Sequence, residues 1–276
     1  MRTVCLGKDN PVLDKEHPPG VAGFSCVSGD VGIFGLVYYA EGLCNPTVVL
    51  CHGFPGMEKN GDIAQNLRRA GFNVVIFSYR GAWGSQGAFS FFGTVEDTQS
   101  VVRHVARKKL PEPDRFDSGR IVLVGHSMGA FAAFKAAAAL PAIRDIALLT
   151  VWNIGLDAGR MGRDEETKKR VDYILDGVGC LAGATRAALL NEILQNEDVF
   201  DLQNDATAFR GRRVLLLGAK EDLFTPGGLH QALLAKALRR EASFVSEKSL
   251  ACDHVFSAKR NAVSRVLLKW LAEGGY

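Results

Sequence analysis

Short uninterrupted apolar runs recur along the chain, and turn-forming residues bound each of them. Runs without polar interruption are typical of strands buried on both faces of a parallel sheet. Between them lie segments whose apolar residues recur every three or four positions, which is the periodicity of an amphipathic helix. The predicted strands lie at 47–51, 73–79, 121–124, 145–151 and 213–217. Their alternation with helices predicts an α/β fold, a mostly parallel twisted sheet flanked by helices.

The two ends of this pattern look different from its middle. Val21 to Ser28 and Gly32 to Ala40 flank a turn at Gly29-Asp30, which predicts an antiparallel hairpin at one edge of the sheet. The first 20 residues predict an irregular segment before this hairpin. Ala242 to Val245 predicts a last short strand, and a closing helix follows it.

The strand signal disappears between residues 152 and 209. Two amphipathic segments, RDEETKKRVDYIL and TRAALLNEIL, lie in this interval and predict helices. Segments inserted at the edge of a sheet are where specificity is commonly added to an α/β scaffold. We therefore predict an α/β core formed by residues 1–151 and 210–276, with a small helical cap inserted at 152–209.

The run at 121–124 leads directly into Gly125-His126-Ser127-Met128-Gly129, and an alanine-rich helix follows. Strand, G-x-S-x-G and helix in this order form the context of a nucleophile elbow, a tight turn that exposes its serine at the edge of a sheet. The alternative is a Gly/Ser turn without chemistry. The strand before the motif and the helix after it favour Ser127 as a nucleophile.

A nucleophilic serine needs a histidine base and a carboxylate that orients the base. In chain order this architecture places the serine first, then the acid, then the histidine. Asp222 follows the strand at 213–217, and His254 follows the strand predicted at 242–245. A parallel sheet should bring both to the edge that carries Ser127. Glu221 is a less favoured alternative to Asp222 as the acid.

Acyl transfer to a serine develops negative charge on the carbonyl oxygen, and fixed N–H dipoles stabilise that charge. The predicted donors are the backbone amides of Phe54, in the loop after the strand at 47–51, and of Met128. His52 in the same loop is predicted to be structural. Trp83 and Trp152 are predicted to line the substrate pocket.

Five stretches, HGFPG, SYRGAWGSQG, GHSMGA, LGAKEDLFTP and DHVFS, resemble in order and spacing those of the α/β-hydrolase superfamily. Within it the chain is similar to small bacterial carboxylesterases of the feruloyl-esterase type and to the catalytic domain of prolyl-oligopeptidase-type peptidases. The resemblance implies the α/β-hydrolase fold, a Ser-His-Asp triad and no cofactor. Ala130 replaces a glycine usual in the peptidases, and the 46 residues before Thr47 are too few for their propeller. Both departures favour an ester over a peptide.

Composition excludes several classes of partner. The chain has 33 Lys and Arg, 30 Asp and Glu, a net charge of +3 and no basic stripe, so nucleic acid is not expected to bind. No apolar run approaches the roughly 18 residues of a membrane span, and no signal-peptide core is visible. The six cysteines lack metal-site spacing, so we expect no metal ion and a cytoplasmic protein with reduced thiols.

The predicted function is therefore serine hydrolysis of a small-molecule carboxylic ester through an acyl-enzyme, without a cofactor. Three alternatives stay open at this point: an amide or peptide substrate, a non-hydrolytic biosynthetic reaction, and non-catalytic binding on the same fold. The sequence does not decide between a monomer and a homodimer, and it does not identify the acyl group or the alcohol.

Overall fold

The computed structural model describes residues 11–241 and 243–276, and one eight-stranded sheet lies at its centre. The strands are β1 (Gly20–Ser28), β2 (Val31–Tyr39), β3 (Asn45–Cys51), β4 (Asn73–Phe77), β5 (Phe116–His126), β6 (Asp145–Leu149), β7 (Arg213–Ala219) and β8 (Phe244–Leu250). Their order across the sheet is β1-β2-β4-β3-β5-β6-β7-β8. β2 pairs antiparallel with β1 and β4, and every other neighbouring pair is parallel.

Helices cover both faces of the sheet. In the described part of the chain they are α1 (Gly61–Arg69), α2 (Phe91–Ala106), α3 (Met128–Ala138), α4 (Ile154–Met161), α5 (Glu165–Leu175), α6 (Arg186–Gln195), α7 (Glu197–Phe200), α8 (His230–Arg240) and α9 (Arg260–Glu273). Apolar residues of α2, α3 and α8 pack on one face, and those of α1 and α9 pack on the other. No helix among the described residues is long and apolar enough to cross a membrane.

The central strands are apolar throughout because successive side chains point to opposite, equally covered faces. In β5, Leu123 packs in the cluster that contains α2 and α3, whereas Val122 packs in the cluster that contains α1 and α9. Both side chains are fully buried. The predicted α/β architecture, with an antiparallel hairpin at one edge, is confirmed.

Several predicted strand boundaries are wrong; the strands predicted at 73–79 and 145–151, for example, end at Phe77 and Leu149. The errors at β5 and β8 have a clear physical reason. β5 begins at Phe116, inside a segment predicted as a polar loop, because buried Phe116 pairs with Asn45 beyond a register shift. β8 runs to Leu250 rather than ending at Val245. It is an edge strand with exposed Glu247 and Lys248, so it lacks the apolar pattern of the central strands. Residue 242 of that prediction lies outside the described residues.

The interval 152–209 contains helices and 3-10 turns, and the two predicted amphipathic helices correspond to α5 and α6. Sequence periodicity did not reveal α4 and α7. The last turn of the interval, 202–209, packs against the core, where the Phe209 ring stacks on Phe134 with centroids 4.1 Å apart. The segment around the end of α5, by contrast, lines a cavity together with Ser127 and His254. At the N-terminus, residues 11–19 have no helix or strand, and residues 1–10 lie outside the described residues.

Candidate active site

Ser127 occupies the turn between β5 and α3 in a strained backbone conformation, with φ 57° and ψ −121°. A non-glycine residue in such a region costs on the order of 1–3 kcal/mol and persists only where its surroundings enforce it. The Ser127 N–H donates to the Leu149 carbonyl at 2.9 Å, and the Ser127 carbonyl accepts from the Trp152 N–H at 3.3 Å. The end of β6 therefore holds the turn in place.

Both glycines of the motif are required by close backbone approach. A Cβ atom at Gly125 would overlap the carbonyl of Gly129, and a Cβ atom at Gly129 would overlap the carbonyl of Cys51. Such overlaps cannot be relieved by side-chain movement because the neighbours are main-chain atoms. The sequence G-x-S-x-G is thus a steric condition for packing α3 against the ends of β3 and β5.

Asp222 and His254 lie together at the same edge of the sheet. His254 Nδ1 donates to Asp222 Oδ2 at 2.8 Å. The other carboxylate oxygen accepts the N–H groups of Phe224 and Thr225, both at 2.8 Å, and Thr225 Oγ1 lies 2.7 Å from Oδ2. Burial raises the pKa of Asp222, but the hydrogen bonds and the charge of His254 outweigh it, and the net pKa is lowered. Asp222 is therefore ionised at neutral pH.

Two further side chains hold the main chain of His254. Its carbonyl accepts a hydrogen bond from Thr150 Oγ1 and another from His126 Nε2, both at 3.1 Å. Burial lowers the pKa of His126 to about 3, so its ring is neutral, and the bond to a carbonyl requires the proton on Nε2. The ends of β5 and β6 thereby fix the loop that carries His254.

Ser127 and His254 line one cavity, which has two compartments. We call the larger one, of about 440 Å³, the cap-side compartment; Tyr173, Ile174 and Phe224 contribute to its wall. We call the smaller one, of about 200 Å³, the loop-side compartment, and residues 53–58 form much of it. The serine hydroxyl and the imidazole are thus brought to a shared, solvent-reachable space.

Of the two predicted amide donors, Phe54 lines both compartments, and Met128 directly follows Ser127 in the chain. Met128 is the first residue of α3, so its N–H has no acceptor in a preceding helical turn. Phe54 lies in the loop after β3 and lines both compartments. This loop approaches the serine closely, since a Cβ atom at Gly53 would lie 3.2 Å from Ser127 Cβ.

Neither predicted pocket tryptophan is among the residues that line the two compartments, so this prediction needs correction. Trp152 is 1% exposed, packs edge-on to Phe91 and donates its indole N–H to Asp157 at 2.8 Å. Trp83 lies on the outer side of the loop formed by residues 53–58, and its indole N–H donates to the Pro55 carbonyl at 2.8 Å. The hydrogen bonds of the two indole N–H groups thus hold both rings outside the lining of the compartments.

His52 is a buried structural residue, in agreement with the sequence interpretation. Its Nδ1 donates to the Gly53 carbonyl at 2.8 Å, and its ring packs against Tyr79 with centroids 4.5 Å apart. Burial lowers the pKa of His52 to about 4. The ring is therefore neutral near pH 7 and restrains the loop that contains Phe54.

Sequence reasoning missed a second buried acid, Asp157 on α4. Its carboxylate accepts from Arg170 at 2.5 Å and from Trp152, and His230 Nε2 lies 3.5 Å away. Burial raises the pKa of Asp157 to about 6, despite the lowering effect of Arg170. In the sequence Asp157 is one polar residue of a short helix, and no local signal marks it as buried. It links α4 to α5 through Arg170 and to α8 through His230.

Groups of three or more His, Cys, Asp or Glu side chains that could hold a metal ion are not found among the described residues. At this edge of the sheet Ser127 and His254 line the same cavity, and His254 is hydrogen-bonded to the carboxylate of Asp222. That combination supports nucleophilic acyl transfer with acid–base assistance.

Solved structures similar to this chain share its fold. The Pyrococcus furiosus esterase Pf2001 is 16% identical with a TM-score of 0.69, and the match covers 94% of this chain and 92% of that one. The Pyrococcus horikoshii acylaminoacyl peptidase is 16% identical with a TM-score of 0.68, and the match covers 92% of this chain and 41% of that one. At such identities the likeness shows the fold alone.

Sequence comparison gives the family. The uncharacterized protein YfhR of Escherichia coli (strain K12) is 34% identical over 84 residues, which are 30% of this chain and 28% of YfhR. The match therefore spans less than a third of that relative. The model of the alpha/beta hydrolase family matches residues 48–262, which include all five motif stretches. This match extends over most of the sequence, and the chain belongs to the alpha/beta hydrolase family.

Proposed function

We propose that this chain is a serine hydrolase that cleaves a carboxylic ester through an acyl-enzyme. One geometric observation carries the proposal: Ser127 stands on a strained elbow and shares a cavity with His254, which is hydrogen-bonded to the buried carboxylate of Asp222. Acyl transfer requires a nucleophile, a base and an acid that orients the base, and these three side chains would supply them.

The proposed reaction begins when Ser127 Oγ attacks the carbonyl carbon and His254 Nε2 accepts the hydroxyl proton. The N–H groups of Phe54 and Met128 stabilise the negative charge that develops on the carbonyl oxygen. Cleavage of the carbon–oxygen bond releases the alcohol, which takes the proton back from His254. Water then attacks the acyl-enzyme with His254 as the base, the acid is released, and Ser127 regains its proton.

Asp222 acts in this scheme through His254. Its carboxylate accepts a hydrogen bond from the Nδ1–H group, which leaves Nε2 as the nitrogen available to the serine hydroxyl. Its lowered pKa keeps the negative charge in place when the imidazole becomes cationic. The bonds from Thr225 and Phe224 hold the carboxylate so that little reorganisation accompanies the proton transfer.

Turnover of short p-nitrophenyl esters tests the proposal directly. We expect hydrolysis by the wild-type protein and by Ser100→Ala, a matched change on α2 outside both compartments, but not by Ser127→Ala. Ester turnover retained by Ser127→Ala would exclude Ser127 as the nucleophile. A parallel panel of aminoacyl anilides tests the amide alternative, and we expect lower kcat/KM for these than for the esters.

A further inference from the structure

The two compartments differ in size but meet at the same reactive groups. Ser127 and His254 line both of them, with about 440 Å³ on the cap side and about 200 Å³ on the loop side. An ester bound with its carbonyl carbon at Ser127 must direct its two arms away from that carbon. The arrangement therefore offers the two arms unequal space.

The wall of the cap-side compartment is largely apolar and aromatic. The Tyr173 ring on α5 packs against Phe224 with centroids 5.8 Å apart, and Phe224 lies 5.2 Å from the ring of His254. Ile174 and Phe54 add further apolar surface. A bulky apolar group would be removed from water here, at a gain of roughly 25 cal/mol for each Å² buried.

The loop-side compartment cannot widen easily. The Trp83 indole N–H donates to the Pro55 carbonyl at 2.8 Å and holds the loop from outside. Gly56 has φ 99°, and a Cβ atom there would lie 2.6 Å from Trp83 Nε1. Buried His52 restrains the same loop from inside. The loop is thus held on both sides, which limits the second arm to a short group.

Charge in the two compartments discriminates against anionic substrates. Within the described part of the chain, neither compartment is lined by Lys or Arg, whereas Asp176 lines the cap side and Glu58 the loop side. Two arginines next to lining residues are already paired. Arg186 pairs with Asp172 at 2.7 Å and with Asp176 at 3.2 Å, and Arg260, which donates to the Val255 carbonyl, pairs with Asp62 at 2.5 Å. A carboxylate on a substrate arm would lose water and find no cationic partner.

We propose that the substrate is an ester with two unequal arms: a bulky apolar arm in the cap-side compartment and a short arm in the loop-side compartment, neither of them negatively charged. This inference rests on the proposed function and narrows its substrate class. Tyr173, Ile174 and Phe224 would be the residues that determine specificity for the bulky arm.

A panel of defined esters tests the proposal on the wild-type protein. Methyl 3-phenylpropanoate and phenylethyl acetate each have one bulky arm, and phenylethyl 3-phenylpropanoate has two. We expect kcat/KM for the better one-armed ester to exceed that for the two-armed ester at least 20-fold. Equal rates would overturn the unequal-arm inference.

The charge rule is tested with a matched pair. Methyl 3-(4-carboxyphenyl)propanoate carries a carboxylate where methyl 3-(4-carbamoylphenyl)propanoate carries a neutral amide of similar shape. We expect kcat/KM for the anionic ester to be at least 10-fold lower. Equal rates for the pair would contradict the charge rule.

A size variant assigns the bulky arm to the cap side. Ile174→Trp should lower the ratio of kcat/KM for the better one-armed ester to that for methyl acetate at least 10-fold. Leu194→Trp, a similar enlargement at a half-exposed position of α6, should leave the ratio unchanged. An unchanged ratio in Ile174→Trp would overturn the assignment.

The wild-type protein distinguishes the two proposals. If it hydrolyses none of the esters, the proposed function fails as well. If it hydrolyses them without these preferences, only the inference of unequal arms fails.

Discussion

Among the described residues, two buried aspartates lie beside a histidine, and their surroundings differ. Asp222 accepts from His254, whose side chain is 11% exposed and opens onto the cavity. Asp157 and His230 are both fully buried, and Asp157 is paired with Arg170 instead. Their pKa values shift in opposite directions, lowered for Asp222 and raised to about 6 for Asp157. An aspartate beside a histidine is therefore not enough to indicate an active site. The histidine must also reach a cavity, and the hydrogen bonds must keep the carboxylate ionised.

His230 illustrates the difference most clearly. Its Nδ1 accepts from the Asn153 N–H at 3.2 Å, and burial lowers its pKa to about 3, so the ring stays neutral. It stands where the inserted segment leaves the end of β6 and meets α8. We infer that the Asp157 group joins the cap to the core, whereas the Asp222 group serves the proposed chemistry.

The largest expected effect separates the two histidines. His254→Ala should lower kcat roughly 10⁴-fold, which is about 5.5 kcal/mol of transition-state stabilisation, because the nucleophile loses its base. His230→Ala should lower the Tm and reduce kcat of the folded protein less than 10-fold. Steady-state kinetics and thermal unfolding of both variants check this, and equal losses of kcat would refute the distinction.

Asp157→Ala should destabilise the protein by about 3–5 kcal/mol, because it leaves the nearly buried Arg170 guanidinium unpaired. Urea unfolding measures the change. Arg210→Ala removes an ion pair whose arginine is 71% exposed, and should cost less than about 1 kcal/mol. Equal losses of unfolding free energy in the two variants would show that the buried ion pair contributes no more to stability than the exposed one.

Acid should unfold the protein because three histidines are buried in neutral form. The pKa values of His126 and His230 are lowered to about 3, and that of His52 to about 4. The stability that they contribute is present above their unfolded pKa of about 6.5 and is lost as the pH falls toward the folded values. Asp157, with its pKa raised to about 6, has the opposite effect, because the folded protein binds this proton more readily than the unfolded chain does.

On acidification the three histidines bind three more protons in the unfolded chain than in the folded protein, whereas Asp157 binds one more in the folded protein. The unfolded chain therefore binds two more protons in total. From these four groups alone, the free energy of unfolding should fall by about 2.7 kcal/mol for each unit of decreasing pH between roughly pH 5.5 and 4.5. His104, with a pKa lowered by burial, adds to this loss, and Glu192, with a pKa raised by burial, opposes it. Urea unfolding at several pH values gives this slope. A free energy that does not change across the interval would mean that the three rings are protonated in the folded state.

The smallest expected effect concerns the two donors to the His254 carbonyl. His126→Phe or Thr150→Val alone should lower kcat less than about 10-fold, since the other donor remains. The double variant should lose more than the product of the single losses, because the loop then has neither bond. His126→Gln, which keeps an N–H donor, should recover most of the activity. Strictly additive losses without this recovery would contradict a positioning role.

The sequence was informative where chemistry is tied to backbone geometry. Ser127, Asp222 and His254 follow strand ends, and a parallel sheet gathers such ends at one edge. The glycines of the elbow are dictated by main-chain contacts with Cys51 and Gly129. Positions of this kind can be located from pattern and order, although their catalytic roles belong to the proposal above.

The cap and the edge strand were less predictable because tertiary contacts decide them. Tyr173 is 67% exposed, and nothing in its helical segment indicates that its ring packs against Phe224, which lies 51 residues later in the chain. The sequence predicts Trp152 in the pocket, but its indole N–H donates to Asp157 in the following helix. Periodicity reports which face of a helix is apolar and does not report what that face packs against.

The central claim is that Ser127 is a nucleophile activated by His254. Reaction with a fluorophosphonate, followed by proteolysis and mass spectrometry of the peptides, tests it most directly. We predict one adduct, on Ser127, in the wild-type protein, and a rate of adduct formation at least 100-fold lower in His254→Ala. An adduct on another side chain, or equal rates in the two proteins, would contradict the account.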